Sequence, residues 1–511
     1  MPSAAGIASL ASMWCVGGAP LPAGKGWRIW YARIGSGEFQ PQKVVVSQNG
    51  IPVPTTQDHQ PVPSPPGFGR QICIVSVKLD QPQPNRKFTL AIPEIGRSVH
   101  WQAMPDRIPD DGMSFIFASC YWNKDDKAHV QKAMKSILKF EKPRPAFKLL
   151  IGDQIYLDVP FPKHLPSKKN HAKQIANRYY DYWGDPDYRE MMLATPTFFA
   201  CDDHEFWNNF PERQPQLIPT WSKTSRKQYR EIAQAYYESF QRRLNPSGNS
   251  IEWVQFEIDP ASFFIMDSRS KRSEWKERSR NDARSPEFLS KNQWDALENW
   301  QRGLRGPGIL VLGQPVLQKD GGWKDYSLSN FGANYAKLLN LIERSMKGEN
   351  NEGRQHDILM LSGDIHTGRH AIVTMMGLPG QRLHEFIASP SARVTNVDDF
   401  TTGPKPELPP GRIRSLYLGD QPIIPRNMIW TVRKDHHGVP FTTVNNNMGV
   451  LRMFLSGKAK YRLRVEFCNY LVRRHRHPKW KIFSRRKEVD FEDQNQLRLY
   501  ESKKKIEINL L

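Results

Sequence analysis

A chain of 511 residues is too long for one small hydrophobic core, so two or three structural units are expected. Its 39% apolar and 11% aromatic residues are those of a folded protein and exclude a disordered one. A net charge of +21 favours anionic partners such as phosphoesters, nucleic acid or acidic membrane surfaces, and no apolar run reaches the roughly 20 residues that a membrane span needs.

At the N-terminus, "MPSAAGIASLASMWCVGGAPLPAG" has no basic residue before its apolar part, which departs from the pattern of a secretory leader. The cysteines Cys15, Cys73, Cys120, Cys201 and Cys468 are few, scattered and odd in number, with no CxxC pair. They point away from a disulfide framework and a structural zinc site, and towards a reducing, cytoplasmic compartment. "GAPLPAGKG" (18–26) has the look of a phosphate-binding loop, but its glycine spacing is wrong and Gly26 stands where Ser or Thr would hold Mg²⁺.

Residues 27–104 read as short strands. "WRIWYARI", "KVVVSQ", "RQICIVSVKL" and "RKFTLAIPE" are rich in β-branched and aromatic residues and are separated by Pro and Gly clusters. A small β-sandwich domain over residues 1–110 is expected, without chemistry of its own.

From about residue 113 apolar strands alternate with helical stretches, and a second domain is expected over 111–470. Helices are predicted in 127–140, 226–244 and 289–304. In the second, Tyr229, Ile232, Ala233, Tyr236, Tyr237 and Phe240 recur at helical spacing and read as core. Strands apolar on both faces, alternating with helices, predict an α/β fold whose sheet is covered on both sides. Segments 157–196 and 402–446 read as loops that wall the pocket, and "DHHG" (435–438) as a loop rather than a second metal site. Residues 448–468 read as two strands joined at Ser-Gly-Lys. A basic C-terminal extension, 471–511, opens with "LVRRHRHPKWKIFSRRK".

The chemistry sits where the strands of the second region end. "SFIFASC" stops at Cys120, and "FKLLIGD" at Asp153 with Tyr156 close behind. "TPTFFACDDHE" stops at Asp202, Asp203, His204 and Glu205; "ASFFIMDSR" at Asp267 and Arg269; "DILMLSGDIH" at Asp364 and His366. Singly, each has an ordinary reading: a turn, a buried thiol, a helix N-cap, an ion pair. Parallel strands would bring all of them to one crevice. So many carboxylates in a low dielectric need compensating cations, and Asp, His, Tyr and Cys are the matching ligand types.

The ordered set "ASC" (118–120), "GDQIY" (152–156), "DDHEFWNN" (202–209), "MDSR" (266–269), "NQW" (292–294), "LGQPVL" (312–317) and "SGDIHTG" (362–368) resembles the PhoD-like (alkaline phosphatase D) branch of the metallophosphatases, over roughly residues 113–400. The resemblance implies a four-layer core, two mixed β-sheets flanked by helices, behind the small N-terminal β-sandwich. It makes Asp153 a carboxylate bridging two metals, Tyr156 a phenolate ligand to Fe³⁺, Cys120 a further ligand on the iron side and His366 the completion of that site. Asp203 stands where relatives have Asn, and Asp364 where the wider group often has His. Both favour oxygen ligation of a hard ion, Ca²⁺ rather than Zn²⁺. His204 corresponds to the imidazole that steadies the transition state or protonates the leaving oxygen, and Arg269 to a phosphate clamp, with Asn208 and Asn209 as weaker candidates.

The implied activity is metal-dependent hydrolysis of phosphomonoesters or phosphodiesters by a metal-held hydroxide, with His204 assisting departure of the alkoxide. No GxSxG elbow offers a nucleophilic serine. The rival reading is a basic nucleic-acid- or membrane-surface-binding protein in which this domain is inactive or secondary. Lys479, Lys481, Arg485, Arg486 and Lys487 would then hold phosphates, with Trp480 and Phe483 stacking or inserting. A combined reading has the tail carry the enzyme to a polyanion or an acidic membrane surface. Nothing in the sequence points to an oligomeric state.

Overall fold

The computed structural model describes residues 14–33, 41–69, 71–160, 166–246, 252–274, 287–317, 328–375, 382–392, 411–412, 417–418, 421–422, 428–432, 442–443, 445–455, 462–473 and 505–510. The "DHHG" histidines and the basic residues from Lys479 to Lys487 lie outside them.

The N-terminal part holds two four-stranded antiparallel sheets. One consists of β1 (Trp14–Leu21), β2 (Gly26–Arg33), β5 (Thr55–Val62) and β6 (Gln71–Leu79), in the order β1-β2-β6-β5. The other consists of β3 (Val45–Gln48), β4 (Ile51–Pro52), β7 (Lys87–Ile92) and β8 (Arg97–Gln102), in the order β4-β3-β7-β8. Trp27, Ile29, Tyr31, Val75 and Val77 of the first share one core with Val46, Phe88, Leu90 and Trp101 of the second. The 18–26 stretch is a hairpin: β1, a 3-10 turn at Pro22–Gly24, then β2, with Leu21 paired to Gly26.

Two larger mixed sheets follow. The first is built on three parallel strands, β9 (Met113–Ala118), β10 (Pro145–Ile151) and β11 (Thr197–Ala200). The second is built on β13 (Ala261–Met266), β14 (Gly308–Val311), β15 (Ile358–Ser362) and β17 (Arg382–Ile387), parallel to one another. The antiparallel strands β12 (Trp253–Ile258) and β16 (Gly368–Met375) flank it, and β18 (Gly411–Arg412), β21 (Met428–Val432) and β22 (Thr442–Thr443) extend it. A separate hairpin joins β19 (Tyr417–Leu418) to β20 (Gln421–Pro422). The predicted pair in 448–468 is the antiparallel β23 (Asn446–Leu455) and β24 (Leu463–Arg473); β23 pairs with β9. The last strand, β25 (Lys505–Leu510), pairs with β24, so the C-terminal segment returns to the first sheet.

The apolar runs behave as strands buried on both faces. Phe115, Phe147, Leu149 and Phe198 of the first sheet share a core with Phe256, Phe263, Val311 and Leu361 of the second. The other residues of the first sheet pack on α2 (His129–Phe140), α3 (Lys168–Trp183), α4 (Pro186–Ala194) and α5 (Lys223–Phe240); a four-residue α1 (Asn123–Asp126) precedes them. Those of the second pack on α6 (Lys291–Arg302) and α7 (Gly332–Met346). No helix among the described residues is long and apolar enough to cross a membrane.

Helix starts follow capping chemistry. Ser167, Asp185, Ser222 and Ser290 each accept a backbone N–H from three residues on, at the start of α3, α4, α5 and α6. Residues 157–196, expected as a loop, instead carry α3 and α4. Their aromatic side chains Tyr179, Tyr182, Trp183 and Tyr188 are buried against the first sheet, which supplies the apolar partner that the polar surroundings in the sequence conceal. The predicted 127–140 helix starts later, at His129, because Lys127 and Ala128 adopt left-handed φ of 49° and 64°. Two indoles tie the N-terminal sheets to the helices: Trp30 Nε1 donates to Ser239 O and Trp101 Nε1 to Leu193 O, each at 2.8 Å.

Candidate metal centre

Parallel pairing puts the C-terminal ends of β9, β10 and β11 side by side, and the loops after them are knitted together. Cys120 N donates to Gly152 O at 3.3 Å, Tyr121 N to Asp153 O at 2.8 Å and Gly152 N to Ala200 O at 3.0 Å. The end of β15 closes the crevice from the second sheet. At Gly363 a Cβ would stand 2.5 Å from the Ser119 Cβ and 2.6 Å from Ile151 O, so the two sheets meet there only because that residue has no side chain. Gly152, at φ +75°, has the same constraint against the Asp202 Cβ at 2.5 Å.

Four side chains of this crevice sit on left-handed backbone: Cys120 (φ 57°), Asp153 (54°), Asp364 (67°) and His366 (50°). Such conformations are costly for residues other than glycine and concentrate where a fold aims side chains at a ligand.

The aim is convergent. One carboxylate oxygen each from Asp153, Asp202, Asp203 and Asp364 lies within 4.8 Å of the others; Asp153, Asp203 and an imidazole nitrogen of His204 form a second such group. Asp202 Oδ2 and Asp203 Oδ1 are buried and have no hydrogen-bond partner among the described residues. Asp153 accepts from Cys120 Sγ at 3.2 Å and from His204 N at 3.2 Å. Cys120 Sγ also receives Ser389 Oγ at 3.2 Å. Tyr156 Oη stands 3.3 Å from His366 Nε2, and its ring lies 4.2 Å from that of His204, centroid to centroid. Cys120, Asp153, Tyr156, Asp203, His204, Asp364 and His366, from four strand ends, thus meet in one place.

The electrostatics of the cluster call for positive charge. Burial, then the charges of Asp203, Asp202 and Glu205, pushes the Asp153 carboxyl well above the ordinary range, against an opposing pull from His204. Burial with Asp202 and Asp203 does the same to Asp364. Asp202 is raised by burial in spite of Arg269. Burial works the same way on Asp203, but His204, Arg269 and the Asn209 N–H outweigh it and hold this carboxyl low. The Cys120 thiol is driven up by burial, Asp153 and Asp364, and the Tyr156 phenol by burial and Cys120. A multivalent cation reverses each of these penalties, because it favours the deprotonated form of every group. Two orphaned carboxylate oxygens among four clustered aspartates therefore fit a bound metal.

Three further residues shape the crevice. Asp158 accepts from His204 Nδ1 at 2.7 Å and from Asn208 N at 2.9 Å. Burial alone would lower the His204 pKa, but Asp158, then Asp203 and Asp153, raise it well above the usual imidazole value. Glu205 has no free oxygen to offer: it accepts from the backbone N–H groups of Asp153, Gln154 and Asp202 at 2.9, 2.7 and 3.0 Å. Asp202 belongs to the carboxylate group itself. The sequence placed Asp202 and Glu205 among the strand-end groups expected to converge, with no specific role for either, and did not single out Asp158. Asp158 had a signal, a second carboxylate five residues after Asp153, but only the fold shows that it reaches His204.

Arg269, expected as a clamp, is wholly buried and directs Nε to Asp202 Oδ1 and Nη1 to Phe210 O, each at 2.8 Å. Asp267 stays outside the cluster. It accepts from Arg269 N and Ser270 N, while Gln293 brackets its backbone from α6 at 2.8 and 3.0 Å. Asn208 and Asn209 are half-buried; the Asn209 N–H donates to Asp203 Oδ2 at 2.6 Å.

A solved structure described as "Structure of PhoD" superposes with a TM-score of 0.55 at 16% identity, covering 90% of this chain and 86% of that chain. At that identity the likeness speaks for the fold. No curated protein matches by sequence. The family model described as PhoD-like phosphatase matches residues 115–402, which span every strand end of the cluster. The chain belongs to the PhoD-like phosphatase family.

Proposed function

We propose that the chain is a metal-dependent phosphoester hydrolase working at this crevice, on a four-layer metallophosphatase core behind an N-terminal β-sandwich. The observation that carries the reading is the convergence of Asp153, Asp202, Asp203 and Asp364, with two of their oxygens left unpartnered. Asp153 would be shared by two donor sets. Cys120, Tyr156 and His366 are donors that would suit Fe³⁺; Asp203, Asp364 and Asp202 are all oxygen donors and would suit a hard ion such as Ca²⁺. Bound cations would lower the pKa of a water towards neutrality and neutralise charge on the phosphoryl oxygens.

The side chains do the rest. Asp158 accepts a hydrogen bond from Nδ1–H of His204, which leaves Nε2 as the atom that can carry a second proton to the leaving oxygen. The Asp158 carboxylate favours the protonated imidazole that this role requires. Tyr156, packed on the His204 ring, restricts its swing. Arg269 acts through Asp202, holding that carboxylate and adding buried positive charge beneath the cluster. Asn208 and Asn209, on the same loop, are the candidates to meet phosphoryl oxygens. The buried Cys73, Cys120, Cys201 and Cys468, none in a disulfide among the described residues, fit the reducing compartment of a cytoplasmic enzyme.

The test is elemental analysis of the purified chain together with hydrolysis of p-nitrophenyl phosphate and bis-p-nitrophenyl phosphate. Stoichiometric metal and turnover that both vanish in Asp153→Asn are expected. Full turnover after complete chelation overturns the reading.

A further inference from the structure

An open depression of about 430 Å³, ringed by cations, lies between β8, α2 and α4. Arg97 from β8, Lys135 and Lys139 from α2, and Arg144 from the turn before β10 line it, against the single carboxylate of Glu190. Glu190 is shared: Arg97 pairs with one of its oxygens, and Lys135 Nζ stands 3.6 Å from the other. Neither Lys139 nor Arg144 has an acidic partner among the described residues, and Arg144 is half-buried. The floor is apolar, formed by the buried side chains of Val99, Leu138 and Leu193.

The place of this depression in the fold separates it from the metal centre. Arg144 immediately precedes β10, whereas Asp153 follows its far end. Seven residues of strand at ~3.3 Å each put the two about 20 Å apart, at opposite ends of the parallel strands. Lys135 and Lys139 lie in the C-terminal half of α2, and Glu190 and Leu193 in that of α4, which leads to the start of β11. A ligand here cannot be the ester undergoing hydrolysis at the crevice.

We propose that this depression is a separate binding site for a small phosphate-bearing molecule with an apolar body, of nucleotide size. Four cations against one carboxylate leave an excess of positive charge that suits two or more anionic oxygens. The volume lies within the ~300–1,000 Å³ of small-molecule sites, and the floor of Val99, Leu138 and Leu193 gives a flat body something to cover. The walls connect it to the catalytic part, because Arg97 comes from the N-terminal sheets and the other cations from the α/β region. Occupancy would therefore clamp the two together.

Calorimetric titration of the full chain with ADP and with pyrophosphate tests this. The Asp153→Asn variant removes anion binding at the metal centre, and one saturable site should remain, with ADP binding at least threefold tighter than pyrophosphate. Lys139→Gln with Arg144→Gln in that background should weaken ADP at least tenfold. Lys139 is exposed, so Lys139→Gln alone, expected to weaken ADP at least threefold, keeps the test valid if the double variant does not fold. The proposal is overturned by loss of all binding in Asp153→Asn, by binding that the Lys139 and Arg144 changes leave unaltered, or by pyrophosphate binding as tightly as ADP. None of these outcomes bears on hydrolysis at the metal centre, which the nitrophenyl ester assay reads separately.

Discussion

Asp158 Oδ1 lies 2.7 Å from His204 Nδ1, and the carboxylate also receives the Asn208 N–H, so one buried aspartate fixes both the imidazole and the loop that carries it. Asp158→Asn keeps the shape but removes the charge that, after burial has worked to lower it, does most to raise the His204 pKa. The protonated imidazole is the donor, so activity falls as pH rises through its pKa. The variant should lose turnover by roughly 10–100-fold and show its alkaline fall at lower pH, with metal content unchanged. A pH–rate profile beside elemental analysis checks this. His204→Ala should also keep its metal while losing about 10²–10⁴-fold in turnover.

Chelation should destabilise the protein in a pH-dependent way. Asp153 and Asp364 have folded pKa values raised by burial and by neighbouring carboxylates. A raised carboxyl contributes stability that is complete below its unfolded value near 4 and is lost as pH rises through the folded value. The metal-free chain should therefore melt at progressively lower temperature from pH 5 to 8. Added cation should abolish that decline and raise the melting temperature, since it binds the folded state. Differential scanning fluorimetry with and without chelator reads both; identical curves would count against a metal at this cluster.

Asp126, outside the carboxylate cluster, offers the same sign. Burial, then the charges of Asp187 and Asp185, pushes its carboxyl up to about 7, despite the Val130 N–H that it accepts at the start of α2. Stability from this group is complete below the unfolded value and falls as pH rises towards 7. Asp126→Asn retains an acceptor for Val130 and has no charge to bury. It should be more stable than the parent at pH 8, by roughly 1–3 kcal/mol, and equal to it near pH 4. Denaturant titrations at the two pH values decide.

Gly152→Ala tests the geometry of the cluster. The added Cβ would stand 2.5 Å from that of Asp202, at a φ of +75° that alanine rarely adopts. The strained backbone alone costs on the order of 1–3 kcal/mol, and Asp202 must move. Lower stability and reduced metal content are expected together; retention of full metal content would mean that Asp202 contributes no ligand.

The legible parts of this molecule were those with a local signal. The stripe from Tyr229 to Phe240 announces α5, and the apolar run before Asp153 announces β10, because periodicity and run length are written in consecutive residues. β1, "WCVGGAPL", was missed: Gly, Ala and Pro are poor strand formers, and it is a strand through its eight-residue register with β2. α3 was missed because its buried Tyr179, Tyr182 and Trp183 stand among polar residues, and only packing against the first sheet reveals their face.

The site divides the same way. Its ligand-type residues could be named from sequence, since strands that end in Cys120, Asp153, Asp203 and Asp364 stand out against the apolar runs before them. The unpartnered oxygen that Asp202 brings to the carboxylate group, the hold of Asp158 on His204, and the burial of Arg269 beneath Asp202 depended on the tertiary structure. Residue type and spacing are properties of a segment. Which carboxylate faces a cluster and which arginine is sealed under it depend on how parallel strands from distant segments align and on backbone turns with positive φ, and no single segment encodes either.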